Sequence, residues 1–375
     1  MNINSFAKWK IVGLIVTATA TALLFAACGV SPTPAPTITK VEPAALFASE
    51  SECAPCHADI ARSHAAGRHA SSLRFIGASI PPAQLPPSGP VGKTRYSVRR
   101  DGEALAFVNP DSAEKRRNVD LAFGSGKTGI TYVALNSDST LEEMRMSYVP
   151  KAGRWYLTPG QEDLIDDDLG HVHSREAARL CLGCHTSTLS VATLRPEPRF
   201  LGVGCQACHG PAAAHVAAAK SRRLQDLKID RAREWGAAKV NEVCGKCHRS
   251  GANVGTSGNE ITMTQRFQVY GLEQSPCFQK SEGKLSCVTC HNPHADAETA
   301  PRRYEVICLQ CHGGVQSATK ASYAVQSKVC PVNPERKCIG CHMPTRQVFP
   351  HSGIDVKMAD HLIWAYRDTR HKATP

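Results

Sequence analysis

The chain has 375 residues, a formal net charge of +11, 17 cysteines and 16 histidines. Only 6% of the residues are aromatic, whereas 28 are glycine and 24 are proline. These totals argue against a large conventional side-chain core and favour a loop-rich chain that wraps a cofactor.

Residues 1–27 predict an export leader. Lys8 and Lys10 form a positive region, and an apolar stretch follows and ends in small residues directly before Cys28. This ending resembles a lipobox, so Cys28 is the predicted lipidation site; ordinary cleavage with a free Cys28, or an uncleaved anchor, are the alternatives. Residues 28–50, rich in Pro and Thr, predict an extended tether.

Seven copies of the pattern C-x-x-C-H follow the tether. In this pattern both thiols attach a c-type haem covalently, and the histidine binds its iron as the proximal ligand. Paired zinc knuckles share the cysteine spacing, but they do not explain a histidine directly after every pair. The sequence therefore predicts seven covalently bound c-type haems, attached by Cys53, Cys56, Cys181, Cys184, Cys205, Cys208, Cys244, Cys247, Cys287, Cys290, Cys308, Cys311, Cys338 and Cys341. The predicted proximal ligands are His57, His185, His209, His248, His291, His312 and His342.

The motifs lie in three segments, with a different kind of sequence between the first and the second. Residues 51–80 hold the first haem motif, residues 165–250 hold the second to fourth, and residues 251–375 hold the last three. Residues 91–157 lack cysteine and histidine and alternate in hydropathy around an Asp-Gly turn, which predicts a small antiparallel β insertion.

One short run resembles a known motif without matching it in full. The run Gly-Ser-Gly-Lys-Thr-Gly from Gly124 resembles a phosphate loop, but Leu121 stands where that pattern requires glycine, so a glycine-rich strand or turn is predicted. Helices are predicted over residues 53–70, 211–235 and 356–366. The predicted fold class is mainly α and irregular: short helices and loops wrap stacked haems, as in multihaem cytochromes c, with the small antiparallel β insertion added.

Nine histidines lie outside the motifs, and seven haems require seven sixth ligands, so bis-histidine ligation is expected nearly throughout. His215 and His294 follow their own motifs too closely to reach the far face of the same ring, so each is expected to serve a neighbouring haem. His171 and His173 compete with each other and with His64. The predicted distal ligands are His69, His171, His173, His215, His294, His351 and His361.

Cys277 and Cys330 lie outside the motifs and the lipobox. In an oxidising compartment two such cysteines often pair, so a Cys277–Cys330 disulfide is the working hypothesis. The basic charge does not indicate a nucleic-acid partner, because each bis-imidazole ferric haem with its two propionates adds about one negative charge. The expected partners are other redox proteins and, through a lipid anchor, a membrane.

Four stretches resemble the multihaem cytochromes c of the cytochrome c-554 type. They are the doubled-cysteine motifs at residues 202–215, 285–294 and 338–344, and the closing histidine pattern at 351–361. The likeness extends over most of residues 50–80 and 170–370 and leaves out the β insertion. It implies electron transfer through stacked and perpendicular haem pairs, and distant kinship with pentahaem nitrite reductase and octahaem hydroxylamine oxidoreductase.

The function predicted from these features is that of an exported heptahaem cytochrome. It would carry electrons between a membrane-linked donor and a periplasmic or surface acceptor. A redox enzyme acting on nitrite or hydroxylamine is one alternative, but no C-x-x-C-K motif is present. Catalysis would also require an open iron position. A subunit of a haem filament or an outer-membrane conduit is the other alternative.

Overall fold

The computed structural model describes residues 44–77, 80–164, 168–251, 266–313, 330–349 and 351–364. The predicted leader, Cys28, most of the tether and His371 lie outside these residues. The α-helices are α1 (Ala58–Ala65), α2 (Arg175–His185), α3 (Cys205–His209), α4 (Ala213–Lys220), α5 (Ala237–His248), α6 (Gln268–Gln274), α7 (Pro276–Gln279), α8 (Cys287–Cys290), α9 (Pro301–His312) and α10 (Cys338–His342). The strands are β1 (Leu73–Phe75), β2 (Gly89–Pro90), β3 (Ser97–Asp101), β4 (Ala104–Asn109), β5 (Ser112–Asn118), β6 (Leu121–Phe123), β7 (Ile130–Leu135), β8 (Leu141–Val149), β9 (Arg154–Leu157), β10 (Gly170–His173), β11 (Thr345–Gln347) and β12 (Lys357–Ala359).

Two antiparallel sheets, which we call the β module, occupy the region between the first and second motifs. One has the order β2-β3-β4-β5; the other has the order β1-β6-β7-β8-β10, with β9 also paired to β8. The predicted hairpin is present, since β3 and β4 pair on either side of the Asp101-Gly102 turn. Strands β1 and β10 come from outside residues 91–157 and join the six-stranded sheet, so the motif-bearing segments on both sides are tied to it.

The side-chain core lies in the β module. Ile130, Tyr132 and Met144 are completely buried between the strands, because alternate residues of each strand face inward. A second cluster joins the six-stranded sheet to helix α2, through Leu121 and Leu182 among others. Burying one such leucine contributes about 1.5–3 kcal/mol, and this packing places the second motif, at the end of α2, against the sheet.

The helices that carry the motifs have much less side-chain core. In α1, α7, α8 and α10 no described residue is buried. Helices this short are unstable alone in water. Their stability must therefore come largely from what binds between them.

Several predictions about local structure were wrong. The fold is mixed α and β, not mainly α, since twelve strands accompany ten short helices in the described residues. The helix expected over 211–235 ends at Lys220, and Arg222 has a left-handed backbone with φ of 54°. The helix expected from 356 is instead strand β12, because pairing with β11 satisfies its backbone and overrides the helical pattern. Asp360, which follows β12, is buried and ion-paired with Arg346.

None of the helices in the described part of the chain combines the length and the apolar character of a membrane span.

Candidate haem sites

Five of the seven motifs lie wholly within a helix, whereas the first directly precedes α1 and the histidine of the fifth directly follows α8. Helices α3 and α10 consist of nothing but a motif, and α2, α5 and α9 each end at their motif histidine. The second cysteine and the histidine follow the first cysteine by three and four residues, spacings that share one helix face. Two thiols and one imidazole can therefore meet the same ring.

Four motif histidines face a histidine from outside the motifs. The ring centres are 6.1–6.5 Å apart in all four cases. The pairs are His57–His215, His248–His69, His209–His294 and His291–His361.

These separations match two imidazoles that bind one iron from opposite sides. A metal–nitrogen bond of about 2 Å, plus about 1.1 Å from nitrogen to ring centre, gives about 6.2 Å between ring centres. By contrast, His171 and His173 lie 4.6 Å apart in an edge-on arrangement, too close to hold an iron between them. The residues present at the four pairs therefore fit a haem iron with two histidine ligands.

Hydrogen bonds orient several of these rings. Backbone carbonyls can only accept, so the Nδ1–H groups of His185, His209 and His342 donate to the carbonyls of residues 72, 230 and 364, at 3.1, 3.0 and 3.0 Å. The Nδ1–H of His361 donates to Ala359 O in the same way, at 3.0 Å. Such a bond fixes the tautomer and leaves Nε2 with the lone pair that a metal requires.

The charge state of the paired histidines also suits metal binding. Burial, the largest cause, lowers the pKa of His361 to about 4. Burial likewise lowers the pKa values of His69, His291 and His294. Because the neutral imidazole is the form that binds iron, these rings are ligand-competent at neutral pH. The buried Nδ1 of His215 has no hydrogen-bond partner among the described residues, which suits a ring whose interactions include a metal.

Thiols of different motifs also influence one another. Side-chain hydrogen bonding shifts the thiol pKa values in the pairs Cys53–Cys205, Cys184–Cys247, Cys244–Cys287 and Cys308–Cys338. Electrostatic interactions, which act over longer distances, link Cys208 with Cys244 and Cys290 with Cys308. These interactions arrange six motifs as successive neighbours, in the order first, third, fourth, fifth, sixth and seventh. The second motif neighbours the fourth.

A carboxylate organises the contact between the first and third motifs. Glu50 accepts from the Cys205 backbone N–H at 2.9 Å and from the Ser187 hydroxyl at 2.9 Å. Glu50, Cys53 and Cys205 have potential ligand atoms within 4.8 Å of one another. Since both cysteines belong to haem motifs, this cluster is part of the haem sites. The shared hydrogen bond raises the pKa of Cys205 and lowers that of Cys53.

Other predicted site residues are not brought opposite a motif histidine within the described residues. His173 Nε2 lies 3.1 Å from the Glu143 carboxylate, and His171 packs edge-on against His173. His351 is exposed. His64, the competitor of this pair, has its Nε2 donating to Val203 O at 2.9 Å.

Cys277 and Cys330 are separate thiols in this structure, not the disulfide suggested by their location outside the motifs. Cys277 is close enough to Cys290 and Cys308 to interact with them electrostatically. Cys330 instead accepts a hydrogen bond from the Asn333 backbone N–H. The two thiols therefore have different surroundings.

Comparisons with known proteins indicate the class of protein that this chain resembles. The family "Cytochrome c554 and c-prime" matches residues 158–210, which include the second and third motifs. The "Multiheme cytochrome MtrA" of Shewanella baltica (strain OS185) is 25% identical over 218 residues, 52% of this chain and 62% of that protein. The match thus spans less than two thirds of the relative's length.

A solved structure is similar in part. The crystal structure of the outer cell wall cytochrome OcwA aligns over 85% of this chain and 79% of its own, with a TM-score of 0.49 and 16% identity. The c554 family match falls on two haem motifs, and the curated relative is itself named as multihaem. These two findings confirm the resemblance to multihaem cytochromes c that the sequence predicts.

Proposed function

We propose that the chain is an exported heptahaem electron carrier. It transfers electrons along a connected series of mostly bis-histidine haems, between a membrane-linked donor and a periplasmic or surface acceptor. One observation carries the proposal: every motif has a thiol that interacts with a thiol of another motif.

The role of these interactions follows from how c-type haem is attached. A bound haem supplies a one-electron couple, and two imidazole ligands favour a low potential. The thiols of a motif would hold a haem at its vinyl-bearing edge, so neighbouring thiols of two motifs would hold two haems close together. Because electron tunnelling slows steeply with edge-to-edge distance, the order of thiol interactions supports a continuous path. In that path the fourth motif is a branch point, adjoining the second, third and fifth.

The histidine pairs argue for transfer over catalysis. A catalytic metal needs an open coordination position, as the logic of zinc enzymes illustrates. His57, His209, His248 and His291 each face a second imidazole at a distance that spans an iron. These four sites are therefore proposed to be closed, with His215, His294, His69 and His361 as their distal ligands.

The remaining parts of the proposal rest on the sequence. Seven motifs support seven haems, and His171, His173 and His351 stay proposed as further distal ligands. The leader over residues 1–27 supports export, and Cys28 supports a lipid anchor. Intact mass spectrometry of the mature protein reports both the haem number and any acyl group on Cys28.

Stopped-flow kinetics of the haem-loaded protein test the function. The fully reduced protein is mixed with an oxidised soluble acceptor cytochrome, and in separate runs with nitrite or hydroxylamine. An electron carrier delivers its electrons rapidly to the acceptor cytochrome and reacts with neither nitrogen compound. Sustained turnover of nitrite or hydroxylamine, together with one CO-binding haem, would instead identify an enzyme.

A further inference from the structure

We propose that Lys127, on the β module, is a positioning residue for the distal histidines His69 and His294. This inference rests on the proposed function and deepens it. It also assigns a role to the glycine-rich run that resembles a phosphate loop, and to the β module that carries this run.

Lys127 contacts two loops that are far from it in sequence. Its Nζ donates to Ala66 O at 2.9 Å, across 61 residues, and forms an ion pair with the Asp296 carboxylate, across 169 residues. Asp296 in turn accepts from the Arg68 backbone N–H at 2.6 Å. One ammonium and one carboxylate therefore join both loops to each other and to the β module.

The two loops carry histidines of the four iron-spanning pairs. His69 directly follows Arg68, and it faces His248 of the fourth motif. His294 lies two residues before Asp296, and it faces His209 of the third motif. A thiol of the third motif, Cys208, also interacts electrostatically with Cys244 of the fourth. Through Ala66 O and the Asp296 carboxylate, Lys127 thus holds the two loops that carry the distal histidines of neighbouring sites.

The turn that presents Lys127 is held in place by the sheet. Gly124 and Gly126 have φ values of 102° and 78°, which favour glycine, and a Cβ at Gly126 would collide with Gln84. The buried Arg74 of β1 donates to Gly124 O at 2.9 Å and to Gln84 Oε1 at 2.7 Å. The six-stranded sheet therefore fixes the backbone from which the Lys127 side chain extends.

A simple surface ion pair is the competing explanation, since isolated exposed pairs contribute little to stability. Two features distinguish this contact. The side chains are 41% and 29% exposed, so both are partly shielded from water. Two backbone groups, Ala66 O and Arg68 N–H, converge on the same pair of side chains. The expected consequence is a change in haem ligand geometry, not only in stability.

The test uses the full haem-loaded chain carrying Lys127→Met. EPR spectroscopy and a redox titration should show altered signals and shifted potentials for two of the seven haems, with the other signals unchanged. Lys127→Arg, which keeps the charge and the donors, should restore the native spectrum. Asp296→Asn should reproduce the Lys127→Met pattern without changing side-chain size. Lys151→Met, at an exposed lysine of the same module, is the matched control and should change nothing.

Two results would overturn this inference: an EPR spectrum and potentials identical to those of the native protein, or changes of equal size in all haem signals. If Lys127→Met lowers haem incorporation, mass spectrometry of haem-bearing peptides must find the loss at the third and fourth motifs; uniform loss would also overturn it. Failure of the proposed function is distinguishable, because it would appear in the native protein's electron-transfer kinetics and not in this spectral comparison.

Discussion

His57 and His215 lie with ring centres 6.5 Å apart and ring planes 20° from parallel. His57 belongs to the first motif, whereas His215 is on helix α4, directly after the third motif. The peptide that follows one haem motif thus places a ring near the histidine of another motif. The first and third motifs are thus linked twice, by this histidine pair and by the interaction between Cys53 and Cys205.

Replacing His215 should change the haem of the first motif and not the haem of its neighbouring third motif. His215→Ala removes one imidazole, so we expect one low-spin ferric haem of the native protein to become high-spin and to bind CO when reduced. EPR and a CO titration measure this. His64→Ala is the control and should leave every haem low-spin, since His64 Nε2 donates to a backbone carbonyl. A wholly low-spin spectrum for His215→Ala would contradict the pairing.

Removing the haem of the fourth motif should divide the electron path. In Cys244→Ala/Cys247→Ala, six haems remain, but the second and third motifs lose the haem site that links them to the fifth. We expect reduction by a soluble donor to split into a fast and a slow phase, resolved by stopped-flow absorbance. Cys181→Ala/Cys184→Ala also removes one haem, yet only from the branch, and should keep a single fast phase. Identical kinetics in the two variants would contradict the proposed order.

The chain without haem should lose most of its helices, α2 excepted, but keep its sheets. The buried side-chain clusters are in the β module and at α2, whereas α1, α7, α8 and α10 have no buried residue among those described. Like other small cofactor-built units, the remaining segments need the cofactor to fold. Far-UV circular dichroism of haem-free and haem-loaded protein should show loss of most of the helical signal with retention of β signal. Full helical content without haem would contradict this expectation.

A conservative substitution should stabilise the β module. The Tyr132 hydroxyl is buried and has no hydrogen-bond partner among the described residues, and burial raises the pKa of Tyr132. Tyr132→Phe removes this unsatisfied group, so the free energy of unfolding should rise by about 1 kcal/mol. Leu121→Ala, in the second cluster, should lower it by about 2–5 kcal/mol because it leaves a cavity. Thermal unfolding of the haem-loaded variants compares the two, and a destabilised Tyr132→Phe would indicate a hydrogen bond at that hydroxyl.

Local features of the chain could be predicted from the sequence, because their determinants are local. The Asp101-Gly102 hairpin and the strands around Tyr132 follow from turn chemistry and alternation. The spacing of His215 already indicated that it cannot serve its own haem, and the structure faces it toward another motif.

Features that depend on tertiary placement could not be predicted. Strand β1 has three residues, too few for a periodic signal, and its pairing with β6 depends on the whole sheet. The partner of His69 is set by where the first segment packs, which spacing does not reveal. The backbone carbonyls that orient the motif histidines carry no sequence signal at all. Lys127 was visible only as part of a misleading phosphate-loop pattern.

The central claim is that four histidine pairs close four haem irons within a connected series. EPR spectroscopy of the fully oxidised, haem-loaded protein, with a CO titration of the reduced form and a haem count by mass spectrometry, tests it most directly. We predict seven haems, with at least four low-spin ferric centres of bis-imidazole type that take up no CO. Fewer than four such centres would contradict the account.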